Sequence, residues 1–127
     1  MLTSLVIGLS LVVAAPPKAG MVITRTTKLD PGTYTLPNGS EDGTGAAIVI
    51  KGDNLTVDFK GVTLRGTPAT TAPNERKGTA VLVMGKNVTV RNLKAHGYKI
   101  GLIAKDSPGL NVLDSDLSYN WKQHLKS

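Results

Sequence analysis

The segment Ala47-Ile48-Val49-Ile50-Lys51-Gly52-Asp53-Asn54-Leu55-Thr56-Val57 returns as Ala80-Val81-Leu82-Val83-Met84-Gly85-Lys86-Asn87-Val88-Thr89-Val90. Every position keeps its character: a small residue, alternating aliphatics, a Gly-x-Asn corner, then aliphatic-Thr-Val. A looser third copy runs from Gly101 to Val112. A unit repeated in this way cannot bury its apolar face alone, so its copies must stack. Ile48 and Ile50 share one side of an extended segment by period two, as do Leu55, Val57 and Phe59 after the corner. Val62 and Leu64 form a third short run. The unit reads as three short strands joined by tight bends.

The spacing fixes the size of the unit. Asn54 and Asn87 are 33 residues apart, whereas Val90 and Val112 are 22 apart. The excess of 11 matches the Thr-, Pro- and Ala-rich stretch 67–77. That stretch reads as an insertion loop in the first copy. The underlying period is therefore about 22, close to that of leucine-rich repeats. Those need a Leu-x-x-Leu-x-Leu frame, which is missing here. Three strands and three bends fit the period, and side chains alternate inward and outward along each strand. The expected fold is all-β, a single-stranded parallel β-helix (a solenoid) of about three coils after an N-terminal lead-in. Ile48 should stack on Val81, Val57 on Val90, and Asn54 on Asn87, with the two amides hydrogen-bonded along the axis.

Composition agrees with thin stacked layers: aromatics are 4% and glycines 14 of 127. There is no cysteine, which excludes a disulfide framework and thiolate metal sites. The net charge is +6, from 15 basic and 9 acidic residues. The basic residues are scattered, with no run of five or more, so the chain lacks a nucleic-acid-binding tail. A solvated surface is the simpler reading of the excess, and a basic face also suits an acidic polymer such as a uronate polysaccharide.

Residues 1–19 read as a secretory leader. An apolar run from about Leu5 to Val13 ends in small residues at Val13-Ala14-Ala15 and is broken by Pro16-Pro17. No Lys or Arg precedes it. The run is shorter than the roughly 20 residues a membrane span needs. The mature chain is thus expected to carry no span and to be secreted, periplasmic or held at the cell surface. Coils occupy 20–120, opened by the turn Asp30-Pro31-Gly32-Thr33. Residues 121–127 leave the pattern as the start of a loop or helix, with no capping element. They suggest a fragment of a longer protein, whose uncapped last coil would self-associate through exposed strand edges.

The lead-in Leu29-Asp30-Pro31-Gly32-Thr33-Tyr34, the coil Val57-Asp58-Phe59-Lys60-Gly61-Val62-Thr63-Leu64-Arg65-Gly66 and the unit Asn87-Val88-Thr89-Val90-Arg91-Asn92-Leu93 resemble the right-handed parallel β-helix proteins of the pectin-lyase-like superfamily. The resemblance covers about Ile23 to Asn120. It implies a right-handed coil and a parent that binds or processes polysaccharide, as a lyase or glycoside hydrolase, with Ca²⁺ as the cofactor of such a parent and none in this stretch. The superfamily also includes adhesins, so a non-catalytic surface or structural repeat module is the alternative, and fold alone does not choose.

Candidate chemistry is sparse, and no complete catalytic set is evident. Asp114 and Asp116 lie two apart on an extended segment and should point the same way. Paired carboxylates can hold Ca²⁺ or share acid and base roles, although Asp is also common in turns. His96 falls at a repeat bend, where a surface role competes with that of general base. Tyr119, Trp121 and His124 are the candidate sugar-binding residues, because aromatics beside polar groups stack on flat ligands; Trp121 covering the flank of the last coil is the simpler reading. The acceptor-like triplets at Asn38, Asn54 and Asn87 are read as chance matches, and no phosphate-loop, dinucleotide or zinc motif occurs.

Overall fold

The computed structural model describes residues 12–37, 45–67, 71–118 and 120. These residues form twelve strands and no α-helix: β1 (Val13–Ala15), β2 (Met21–Ile23), β3 (Thr27–Leu29), β4 (Gly32–Thr35), β5 (Ala46–Lys51), β6 (Thr56–Asp58), β7 (Val62–Arg65), β8 (Thr79–Met84), β9 (Thr89–Arg91), β10 (Ala95–His96), β11 (Ile100–Lys105) and β12 (Asn111–Leu113). A 3₁₀ turn, Pro73–Glu75, lies in the stretch read as an insertion.

The strands assemble into three sheets, ordered β2-β5-β8-β11, β1-β3-β6-β9-β12 and β4-β7-β10. All their pairings are parallel. From β2 onward the chain visits the four-, the five- and the three-stranded sheet in that rotation, so each circuit adds one strand to each sheet in turn. The register matches the sequence repeat. Ile48 pairs with Val81, and Val57 with Val90. The third copy joins through Leu102 on Val81 and Val112 on Val90.

Inward rows make the core. Ile48, Ile50, Val57, Phe59, Leu64, Val81, Val83, Val88, Val90 and Leu93 are completely buried. Each such aliphatic contributes about 1.5–3 kcal/mol by leaving water. Thr27, a buried polar residue in the same row as Val57, donates its hydroxyl to the Arg25 carbonyl at 2.8 Å, which removes the desolvation penalty of an unpaired group. Tyr98 fills the interior beside Gly66, where a Cβ would come within 2.8 Å of the ring.

The corners repeat as strictly as the strands. Asn54 and Asn87 adopt φ of 56° and 54°, and Gly109 takes the equivalent place with φ 76°. Asn tolerates this left-handed conformation better than other side chains. At Gly109 a Cβ would press on Oδ1 of Asn87, so the amide ladder ends there.

Two features concern the first and the last described strands. Residues 13–15, assigned to the end of the leader, form β1 and pair with β3 from Val13 on Thr27 to Ala15 on Leu29. Three small or β-branched apolar residues suit a leader and a strand equally, and periodicity over so short a run cannot separate them. The last circuit is only partly covered: Val112 is 38% exposed, whereas Val90 beneath it is at 0%. No described helix is long and apolar enough to cross a membrane.

Candidate functional site: the outer face of the three-stranded sheet

Strands β4, β7 and β10 turn alternate residues to solvent. Thr33 pairs with Thr63, Thr35 with Arg65, and Arg65 with His96. A bridge between Lys94 and Asp116 extends this face into the last circuit. The period of the coil thus brings four chemically distinct groups together from three circuits: Arg65, Lys94, His96 and Asp116. Beside them a groove of about 280 Å³ is lined by Lys60, Thr63, Asn92, Lys94 and Asp114.

His96 is the centre of this face. Its Nε2 lies 3.6 Å from Oδ2 of Asp116, with the imidazole half-buried and the carboxylate half-exposed. That separation is ion-pair range and longer than a good hydrogen bond. The other carboxylate oxygen is fixed by Ser118, whose hydroxyl donates to Oδ1 at 2.6 Å and whose backbone N–H donates at 3.0 Å. These two bonds from Ser118, the hydroxyl's foremost, hold the Asp116 carboxyl below its ordinary range, and His96 adds to the effect. The face offers two basic side chains, an imidazole and a carboxylate beside it. Such a set can bind an acidic ligand.

The sequence candidates divide accordingly. Asp114 and Asp116 do not act as a pair: Asp114, with φ 50°, lines the groove with Lys60, while Asp116 turns to His96 and Ser118. The positive φ at Asp114 breaks the simple alternation that would aim the two carboxylates alike. Among the described residues no group of three or more His, Asp or Glu is placed to hold a metal ion. Tyr119, Trp121 and His124 lie outside the described residues. The sequence reading found no partner for His96, because the 20-residue separation from Asp116 becomes proximity only once circuits are stacked.

A second concave surface lies under the segment 71–77. It has a volume of about 570 Å³ and is lined by Thr67, Thr71, Glu75, Arg76, Lys77 and Lys99 among others.

No family model matches the chain, and no curated protein or solved structure matches it either.

Proposed function

We propose that the chain forms a right-handed parallel β-helix of the pectin-lyase-like kind, exported from the cell, whose outer face binds an acidic polysaccharide. The observation that carries this reading is the row Arg65, His96 and Lys94 on stacked strands, with Lys60 in the adjoining groove. Strands about 4.8 Å apart repeat cationic and hydroxyl groups along the stack axis, and a linear polymer of carboxylated sugars presents charge at comparable intervals. Basic side chains on a rigid wall attract such a polymer from a distance, and the attraction weakens with salt. The role proposed is binding, without a bond-breaking step.

Affinity electrophoresis through polygalacturonate, beside a neutral glucan as control, tests it. Retardation should occur in the acidic polymer alone, fall with added salt, and be reduced in R65Q/K94Q. Equal migration in both gels, or unchanged retardation of the double variant, would sink the reading.

A second reading, a surface or structural repeat module that assembles with itself, has its own support. Strands β11 and β12 leave one edge without a described partner, and β1 and β2 do so at the other end. The circuit 12–37 carries Lys18, Arg25 and Lys28 against Asp30, and 100–118 carries Lys105 against Asp106, Asp114 and Asp116. The two ends thus bear opposite net charge and parallel edges of the same two sheets, a head-to-tail geometry that does not close. Light scattering across a concentration series decides: mass growth suppressed by salt favours the module, and a constant monomer mass opposes it.

A further inference from the structure

We propose that the 570 Å³ cavity under residues 71–77 is an oxyanion-binding site, taking a ligand that carries a carboxylate, sulfate or phosphate group. The volume lies within the roughly 300–1,000 Å³ of small-molecule pockets. Three cationic side chains from two separated stretches of sequence line it: Arg76 and Lys77 from the inserted segment, and Lys99 from the bend before β11. Glu75 is the one carboxylate on the described lining, beside these three basic side chains. Thr67, Thr71 and Asn74 add neutral polar groups.

The walls are tied to the stack. The Thr67 hydroxyl donates to the carbonyl of Gly97. The backbone N–H of Lys99 donates to the carbonyls of Lys77, at 3.1 Å, and Gly78, at 2.9 Å. Nη1 of Arg76 donates to the Asn120 carbonyl at 2.9 Å. Asn120 is itself held by three bonds: its Nδ2 donates to the carbonyls of Ala95 and Leu117, and its Oδ1 accepts from the N–H of Tyr98. Arg76 is therefore positioned by a corner of the last circuit 44 residues away in sequence. Its Nε remains shielded from solvent without a hydrogen-bond partner, a state that costs free energy unless an acceptor reaches it. An oxyanion seated against Arg76 would accept charge-assisted hydrogen bonds. Fixing Arg76 beforehand lowers the ordering cost of binding.

The site stands apart from the outer face proposed above, because it uses none of Arg65, Lys94, His96 or Asp116. Calorimetric titration of the full chain with inorganic phosphate, inorganic sulfate, glucuronate and glucose tests it, at ionic strength matched with chloride. Saturable binding of at least one anion is expected, with none for glucose. Glucuronate alone would assign the oxyanion to a carboxylated sugar; phosphate or sulfate alone would assign it to a free tetrahedral anion. K77Q, a change at an exposed side chain, should weaken binding about tenfold, as expected for one charge-assisted bond. R76Q should weaken it further, with circular dichroism reporting whether it folds, and R65Q/K94Q should leave it unchanged. Absence of saturable binding by all three anions, or an affinity unaltered in K77Q, would overturn the proposal.

Discussion

Asn87 donates from its side-chain amide to Oδ1 of Asn54, 3.0 Å away and one circuit earlier, while both residues hold a left-handed backbone. The same side chain thus serves the turn and the stack. Substituting alanine removes both roles. N87A should cost the left-handed penalty of about 1–2 kcal/mol and a hydrogen bond of about 1 kcal/mol. N87G keeps the turn and should lose only the second. Urea unfolding of the two variants checks the order; equal losses would show that the ladder, not the turn, dominates.

Glycine at the same corner answers to space as well as conformation. A Cβ at Gly85, which has φ 134°, would run into the carbonyl of Gly52 in the circuit below. At Gly20, with φ 82°, nothing lies within 4 Å. G85A should therefore destabilise by at least about 3 kcal/mol, combining backbone strain with a clash that neither chain segment can absorb. G20A should cost about 1 kcal/mol from strain alone. Thermal unfolding of both variants measures the difference.

Tyr98 ties the three-stranded sheet region to the lead-in, donating its buried hydroxyl to the Leu36 carbonyl at 3.1 Å. Burial pushes its ionisation well above the ordinary 10.0. In the unfolded chain the phenol loses its proton near pH 10, while in the folded chain it keeps it. The folded state then holds more protons, so stability falls as pH rises above 10. Y98F should cost about 1 kcal/mol at neutral pH and should flatten this alkaline limb, as chemical denaturation from pH 8 to 11 would report.

Asp58 sits in register between Lys28 and Arg91 on the outer face of the five-stranded sheet. Its carboxyl is held below 3.8 chiefly by the amide of Asn92, 2.9 Å away, with help from the Lys60 N–H, Lys28 and Arg91 and against partial burial. A lowered value means that its stabilising contribution is complete above 3.8 and is lost as pH falls through the folded-state value. D58N should lower stability at pH 7 and reduce its decline between pH 4 and 2. Acid titration followed by circular dichroism checks both signs.

The repeat made the strands and their register legible: the Ile48–Val81 and Val57–Val90 pairings and the Asn54–Asn87 bond follow from aligning two stretches of sequence. Period-two alternation also placed Leu55, Phe59, Val62 and Leu64 inside. The sites were less legible, because they depend on relations between circuits of unequal length. His96 meets Asp116, and Arg76 meets Asn120, only after the stack closes. Gly109 made the third copy looser, since it stands where the other two corners have Asn. Strand β1 was masked by a composition shared with leaders.

Parallel stacking of successive circuits underlies every assignment above, and the absence of native cysteine allows it to be measured directly. Val49 and Leu82 are register partners on adjacent strands, and Ile103 is one strand further, paired with Leu82. Strands stand about 4.8 Å apart, whereas a disulfide needs Cα atoms within about 6.8 Å. Mild oxidation of V49C/L82C and L82C/I103C should therefore close a disulfide in each, while V49C/I103C, separated by two spacings, should stay reduced. Closure of V49C/I103C, or failure of V49C/L82C, would contradict the stacked circuits.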